Sequence, residues 1–200
     1  MKLHLGCFDK PLDGWHNTDV TNHVLISRVP FAAQLLKAAG RMSAQRFEQH
    51  QKGIFRKVHR LNVAKRFPFA DNSVDAVFSS HIIEHLRPGM ARHMMSEALR
   101  VLKPGGICRT VAPCLDHALT LYDGVDPGPM LKFVFQDNHS DPKNRHHWMY
   151  NGESLAKLMV DVGFENVEEC EYQKGNLPDV ERLDNRPGVS VYVEGVKGKS

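Results

Sequence analysis

The chain has 200 residues, of which 42% are hydrophobic and 24% are charged, close to the averages of soluble globular proteins. These values exclude wholesale disorder, and no apolar run reaches the roughly 18 residues that a membrane span requires. The N-terminus lacks the apolar stretch of a secretory signal, so we expect one cytoplasmic domain over residues 1–200 with its four cysteines reduced. The formal net charge of +3 is too small to indicate nucleic acid.

Hydrophobic periodicity alternates between strand and helix patterns, which is typical of an α/β sheet. In chain order, the strand-like runs are residues 2–6, 16–20, 58–63, 74–79, 107–112, 167–172 and 189–196. The helical patterns are residues 29–56, 90–102 and 152–162. Breakers at residues 103–106 are predicted to separate the second helix from the next strand, while Asn151 and Gly163 are predicted to cap the last helix. Residues 113–147 are poorly periodic, so we predict a loop there on the substrate side.

Positive charge is concentrated in one part of the chain. Residues 21–60 contain eight Lys or Arg side chains and a single acid, Glu48. We predict a basic helical insertion over residues 21–57. A solvated helical face is the simplest interpretation, and attraction of an anionic acceptor or peripheral contact with an anionic membrane are the others. RNA binding is the least favoured, because aromatic residues are sparse there and no RNA-binding motif is present.

Four ordered motifs carry a resemblance to a known family. They read LHLGCF at residues 3–8 with GWHNTD at 14–19, LNV at 61–63 with FPFADNSVDAVF at 67–78, SSHIIEHL at 79–86 leading to RVLKPGG at 100–106, and HHWMYN at 146–151. In this order and spacing they resemble the class I S-adenosylmethionine-dependent methyltransferases, in particular a small bacterial branch with LGCG…GWxNxD and SSHxxEHL-type motifs. The resemblance runs from residue 3 to about residue 196.

The resemblance implies a Rossmann-like methyltransferase fold. We expect a mostly parallel sheet with an antiparallel, hairpin-like strand at its edge and helices on both faces. The implied cofactor is S-adenosylmethionine, and the acceptor is a small or carbohydrate-type molecule, since members of this branch are often associated with polysaccharide or glycoconjugate synthesis. The sequence leaves open the oligomeric state and the methylated atom, oxygen or nitrogen.

The cofactor is expected at the carboxyl ends of the strands, where parallel α/β sheets bind ligands. A glycine after the first strand lets the backbone approach the ligand, and an acid after the second can accept hydrogen bonds from both ribose hydroxyls. By the resemblance, Asn62 and Val63 lie by the adenine and Ser79 lines the methionine end. The predicted cofactor-binding residues are Gly6, Cys7, Phe8, Asp19, Asn62, Val63 and Ser79.

Phe8 departs from the motif because it stands where the family has its second glycine. A bulky side chain in a turn with positive φ is strained, and the ring could block the cofactor, point outward or cover the ligand. A non-catalytic protein with this fold and a degenerate cofactor site is therefore one alternative. A nicotinamide-dependent oxidoreductase is a weaker one, since Gly-x-Gly-x-x-Gly does not follow the first strand.

Histidines near the strand ends are the candidate catalytic residues. An acceptor hydroxyl benefits from a general base, and histidine titrates near neutral pH. His81 follows the fourth strand directly, and His146 lies at the end of the predicted loop, so both are predicted to face the acceptor. His85 and His147 are interpreted as structural and solvated histidines. Further ligand types cluster at Asp137, His139 and Asp141, but zinc needs three or four converging ligands, so no metal site is assigned.

Overall fold

A computed structural model describes residues 1–135 and 145–199 of the chain. The strands in this part are β1 (Lys2–Leu5), β2 (Trp15–Asp19), β3 (Val58–Arg60), β4 (Val74–Ser80), β5 (Leu102–Pro113), β6 (Glu165–Cys170) and β7 (Ser190–Val196). They form one sheet in the order β3-β2-β1-β4-β5-β7-β6. The first five are parallel, and β7 runs antiparallel to both of its neighbours. The prediction of a mostly parallel α/β sheet is confirmed.

The antiparallel pairing predicted at the edge of the sheet is confirmed, since the edge strand β6 runs antiparallel to β7. β7 is inserted between β5 and β6, and β6 is the edge strand. Burial explains the order, because β7 presents a run of buried side chains from Val191 to Gly195 that needs a neighbour on each side. β6 instead exposes Glu165, Glu168 and Glu169, charges of the kind that protect an edge from further pairing.

Helices cover the sheet on both faces. They are α1 (Asn22–Ile26), α2 (Ala32–Ala38), α3 (Ala44–Gln51), α4 (Pro88–Val101), α5 (Leu115–Thr120), α6 (Gly128–Phe135), α7 (Gly152–Val162) and α8 (Val180–Leu183), with 3₁₀ turns at Ile54–Lys57 and Ile83–His85. α4 and α7 pack on one face, where the core contains Val77. Ala76 and Phe78 alternate to the other face and pack with Leu183 of α8. None of the helices in the described ranges is long and apolar enough to span a membrane.

Two stretches differ from the sequence-based prediction. The region expected as a loop over residues 113–147 contains α5 and α6, which are short, and α6 buries no side chain that would have produced a periodic pattern. β5 begins at Leu102 rather than residue 107, so α4 leads directly into it. The predicted breakers form an irregularity at the start of this strand, where the backbone of Gly106 packs so closely on the Asp75 carbonyl that a Cβ would lie 3.0 Å from that oxygen.

The caps predicted for α7 are both present. The Asn151 side chain accepts a hydrogen bond from the Ser154 N–H, and the Ser154 hydroxyl accepts one from the Asn151 N–H, each at 3.0 Å. Gly163 ends the helix with φ of 113°, a conformation that favours glycine. Local chemistry therefore fixes both ends of this helix.

A buried arginine joins β5 to the last third of the chain. Arg109 is fully buried and donates to both carboxylate oxygens of Asp184, at 2.8 and 2.5 Å, and to Glu194 on β7 at 2.8 Å. It also donates to the backbone carbonyls of Glu171 and Lys174. Its charge and its donors are thus satisfied by groups on β7 and on the segment between β6 and β7.

Arg109→Ala is expected to destabilise the protein by about 3–5 kcal/mol, because Asp184 and Glu194 would remain buried without their cation. Urea unfolding measures the change. Arg92→Ala is the control, since the exposed Arg92–Asp161 pair should contribute no more than about 1 kcal/mol. Equal stability of the two variants would contradict this role of Arg109.

His4 makes folding sensitive to acid. Burial in β1 lowers the pKa of His4 to about 4, against the smaller opposing effect of its hydrogen bond with Asn17. Between pH 6.5 and 4 the unfolded chain therefore takes up a proton that the folded chain does not bind. The free energy of unfolding is therefore not reduced by His4 above pH 6.5, and it decreases as the pH falls from 6.5 towards 4.

His4→Gln should consequently show a smaller loss of unfolding free energy between pH 6.5 and 4 than the unaltered protein, by up to about 3 kcal/mol. Chemical denaturation at a series of pH values measures this difference. His147→Gln, at an exposed position, is the control. A pH profile unchanged by His4→Gln would show that other groups cause the acid sensitivity.

Candidate functional site

The predicted cofactor residues converge at one edge of the sheet. Leu5, the last residue of β1, is in register with Thr18 on β2 and with Ser79 on β4. The residues that follow these positions, Gly6 and Asp19 among them, therefore emerge side by side at the carboxyl ends of three parallel strands. This is the edge at which open α/β sheets bind ligands.

Gly6 allows an unusually close approach at this edge. Its φ is 62°, and a Cβ at this position would lie 2.2 Å from Ile82 Cδ1. Any larger residue would be strained and would have to displace Ile82, so the fold requires glycine here. Because the obstacle is the end of a flexible side chain, movement of Ile82 would expose the Gly6 backbone to a ligand.

The Asp19 carboxylate lies beside this glycine. Its Oδ2 accepts from the Phe8 N–H at 3.1 Å and Oδ1 accepts from the Thr21 N–H at 2.7 Å. Oδ2 is also 4.0 Å from the point where a Gly6 Cβ would stand. Burial raises the pKa of Asp19, and the backbone N–H groups oppose that effect. Each oxygen keeps a further lone pair, so the carboxylate can still accept two hydroxyl groups.

Phe8 adopts the conformation of the glycine that it replaces. Its φ is 46°, as the motif implied, and its ring turns towards the basic helical segment. The Arg46 guanidinium carbon lies 4.4 Å from the centre of the ring, and the Phe55 ring is 6.2 Å away. Arg46 also pairs with Asp9 at 2.6 Å. Phe8 therefore helps to anchor α3 to the loop after β1.

Two of the predicted cofactor residues are packed away from solvent. The Cys7 thiol belongs to a small cluster with Val24 and Val58, and burial raises its pKa to about 12. The Ser79 hydroxyl donates to Thr110 Oγ1 at 3.2 Å inside the sheet. Both side chains are therefore engaged in packing or hydrogen bonding within the protein.

Asn62 and Val63 follow β3 at the same edge. Asn62 is exposed, and its Oδ1 accepts from the Ala64 N–H at 3.0 Å, which closes a local turn. Val63 is half-buried and packs against the main core. The Asn62 amide oxygen therefore already has a partner within this turn.

His81 occupies the sharp turn after β4. Its φ is 54°, and its N–H donates to the Val111 carbonyl at 2.9 Å. Arg186 lies 3.1 Å from Nδ1 and can only donate, so Nδ1 accepts and Nε2 donates to Ser190 Oγ at 3.0 Å. Both ring nitrogens are engaged in this arrangement, so neither offers a free lone pair while Arg186 keeps this position.

Sequence analysis missed the residue at the centre of the histidine cluster, Glu84. It is fully buried, and neither carboxylate oxygen has a hydrogen-bond partner among the described residues. Glu84 Oε1 lies 3.3 Å from His81 Nδ1, 3.9 Å from His85 Nε2 and 4.0 Å from His146 Nε2. The spacing His81-x-x-Glu84-His85 was the available signal, because i, i+3 and i+4 positions share one face of a helical turn.

Residues 146–148 are held against the cluster of Glu84 and its neighbouring histidines. His146 donates from Nδ1 to the Val134 carbonyl at 3.0 Å, and burial lowers the pKa of His146 while Glu84 opposes the shift. The N–H groups of His147 and Trp148 both donate to the Glu84 carbonyl. His147 itself is exposed, as predicted. The other clustered ligand types named from the sequence, Asp137, His139 and Asp141, lie outside the described residues.

A cavity of about 250 Å³ opens beside His146. Its lining is mainly apolar and aromatic, and it consists of Val134, Phe135, His146, His147, Trp148 and Met149. Trp148 and Phe135 keep about half of their surface exposed. A cavity of this size and lining suits part of a small organic molecule.

Comparison with known proteins agrees with this architecture. Residues 30–110 match the family model described as a methyltransferase domain. A SAM-dependent methyltransferase of Methanosarcina mazei is 18% identical, with a TM-score of 0.54 over 100% of this chain and 92% of that one. A SAM-dependent methyltransferase of Thermotoga maritima is 14% identical, with a TM-score of 0.54 over 98% of this chain and 81% of that one. Phosphoethanolamine N-methyltransferase 2 of Haemonchus contortus was solved in complex with S-adenosyl-L-methionine. It is 15% identical, with a TM-score of 0.55 over 98% of this chain and 48% of that one. The chain therefore has the Rossmann-like fold of the SAM-dependent methyltransferases.

Proposed function

We propose that the protein transfers a methyl group from S-adenosylmethionine to a small-molecule acceptor. The observation that carries the proposal is the pairing of Gly6 and Asp19 at the carboxyl ends of two adjacent parallel strands. The matched methyltransferase domain model and the shared fold support it. The Haemonchus contortus enzyme, whose structure contains S-adenosyl-L-methionine, is one protein of this fold that binds the proposed cofactor.

In this proposal the cofactor lies across the strand ends. Asp19 accepts from the ribose hydroxyls, and the backbone around Asn62 and Val63 borders the adenine. The methionine end passes over Gly6, which requires the Ile82 side chain to move aside. Asp19 is half-buried, and its charge strengthens the hydrogen bonds that its carboxylate accepts.

Methyl transfer depends more on the alignment of acceptor and cofactor than on acid–base catalysis at the cofactor. The sulfonium is a good leaving group, so the protein mainly holds the acceptor atom in line with the methyl carbon and the sulfur. We assign the acceptor end to His81 and His146, since both face Glu84 and His146 lines the cavity. The exposed rings of Phe135 and Trp148 provide flat apolar surfaces for a carbohydrate-type acceptor.

The alternative is a protein of the same fold without cofactor. Ile82 packed on Gly6 and the ring of Phe8 in the glycine motif are the observations that favour it. Of the two variants described next, Asp19→Ala tests the proposed ribose contact, and Phe8→Gly tests whether the Phe8 ring obstructs the cofactor.

Asp19→Ala is expected to weaken binding of S-adenosylhomocysteine by about 1.5–3 kcal/mol, roughly ten- to one-hundred-fold, through loss of charge-assisted hydrogen bonds to the ribose. Calorimetric titration measures the affinity. Asp13→Ala is the control, because Asp13 is exposed and pairs with Lys57 on the surface. Unchanged affinity in a folded Asp19→Ala variant would remove this carboxylate from the cofactor site.

Phe8→Gly is expected to leave the affinity for S-adenosylhomocysteine unchanged and to lower thermal stability, because the ring stacks on Arg46. Phe31→Gly is a matched control: Phe31 also has positive φ, 59°, but its ring is 73% exposed, so this change relieves strain without removing packing. A large gain in affinity for Phe8→Gly would mean that the ring blocks the cofactor, and a large loss that it contacts the ligand.

A further inference from the structure

We propose that Glu84, His85 and His146 form a binding site for a divalent transition-metal ion, for which Zn²⁺ is the natural probe. Two ligands come from the 3₁₀ turn after β4, and the third comes from about sixty residues further along the chain. The three ligand atoms all lie within 4.8 Å of one another.

The first observation is the state of the Glu84 carboxylate. The residue has no exposed surface, and neither of its side-chain oxygens has a hydrogen-bond partner in the described part of the chain. Buried carboxylates are normally paired with a cation or hydrogen-bonded, because the loss of hydration is otherwise uncompensated. A metal ion on this carboxylate would supply the missing partner.

The second observation is the orientation of the two histidines. His85 directs Nδ1 at the Arg145 carbonyl, at 3.1 Å, and His146 directs Nδ1 at the Val134 carbonyl, at 3.0 Å. A carbonyl oxygen can only accept, so each Nδ1 carries the hydrogen and each Nε2 keeps its lone pair. Both Nε2 atoms face Glu84 Oε1. Backbone carbonyls orient metal-binding histidines in the same way.

The distances are close to those of a zinc site. Glu84 Oε1 is 3.9 Å from His85 Nε2 and 4.0 Å from His146 Nε2. Zinc bonds of about 2.0–2.1 Å in tetrahedral geometry place ligand atoms about 3.4 Å apart, so the ligands need to close by roughly half an ångström. Two histidines with one carboxylate, and a fourth position left open, are typical of catalytic zinc sites.

His81 is a neighbour of this site rather than a ligand. Its Nδ1 lies 3.3 Å from Glu84 Oε1 but accepts from Arg186, and its Nε2 is bonded to Ser190. The side chain of His85 keeps 27% of its surface exposed, so the site is accessible on that side. The cavity lined by Trp148 and His146 adjoins it.

The position of the proposed metal site beside the cavity indicates which class of acceptor is methylated. This inference rests on the proposed methyltransferase function. A hydroxyl group bound at the open position has its pKa lowered by the ion, which favours a hydroxyl-bearing acceptor and O-methylation. The hydroxyl proton passes to solvent, the oxygen forms a bond to the methyl carbon, and the electron pair of the broken carbon–sulfur bond stays on sulfur. His146 then serves as a ligand rather than as the base predicted from the sequence.

The test is metal binding itself, measured without cofactor or acceptor. Chelator-treated protein is titrated with Zn²⁺ against a competing chromophoric chelator, and one ion per chain is expected. Glu84→Gln, His85→Asn and His146→Asn should each weaken that binding at least about tenfold. His147→Asn, which changes an exposed histidine next to His146, should bind Zn²⁺ like the unaltered protein.

Thermal unfolding provides a second readout that does not depend on one variant. Zn²⁺ should raise the melting temperature of the unaltered protein and of His147→Asn but not that of Glu84→Gln. Without metal, Glu84→Gln should be at least as stable as the unaltered protein, because it removes a buried carboxylate that has no hydrogen-bond partner among the described residues. Absence of Zn²⁺ uptake by the unaltered protein, or equal uptake by all variants, would overturn the metal site while leaving cofactor binding untouched.

Discussion

The turn that follows β4 positions both Ile82, which covers Gly6, and the buried Glu84. This turn depends on the backbone conformation of His81. With φ of 54°, His81 turns the chain out of the sheet while its N–H remains bonded to Val111 on β5. The next residue, Ile82, covers Gly6 on the cofactor side. Two residues later Glu84 is buried among histidines. Because β4 lies between β1 and β5, this corner is fixed to the centre of the sheet.

Within the described residues, buried ionisable side chains differ in whether their polar atoms are hydrogen-bonded. Arg109 is neutralised by Asp184 and Glu194, so that network holds the sheet together and has no capacity for a ligand. Glu97 is likewise bonded to Arg100. Glu84 differs from these residues, since its oxygens have no hydrogen-bond partner in residues 1–135 or 145–199. This contrast distinguishes a structural network from the site that we propose for a metal ion.

Local signals in the sequence predicted much of the fold, whereas contacts between distant residues were not accessible to it. Asn151 and Gly163 were correctly placed because capping depends on neighbouring atoms. Gly6 and Asp19 could be named as candidates from the sequence, because Gly6 directly follows β1 and Asp19 ends β2. The insertion of β7 between β5 and β6 was not predicted, since it depends on which strand exposes charge. Glu84 was missed because its importance comes from burial and from a histidine about sixty residues away.

Calorimetric titration of the unaltered protein with S-adenosylmethionine and S-adenosylhomocysteine is the decisive test of cofactor binding at the strand ends. NAD⁺ serves as the comparison ligand, because it also binds at the strand ends of related sheets. The account predicts one site per chain with micromolar affinity for both sulfur compounds and no heat with NAD⁺. Absence of heat and of any thermal shift at millimolar S-adenosylhomocysteine, in a protein shown to be folded, would contradict it and favour the non-catalytic alternative.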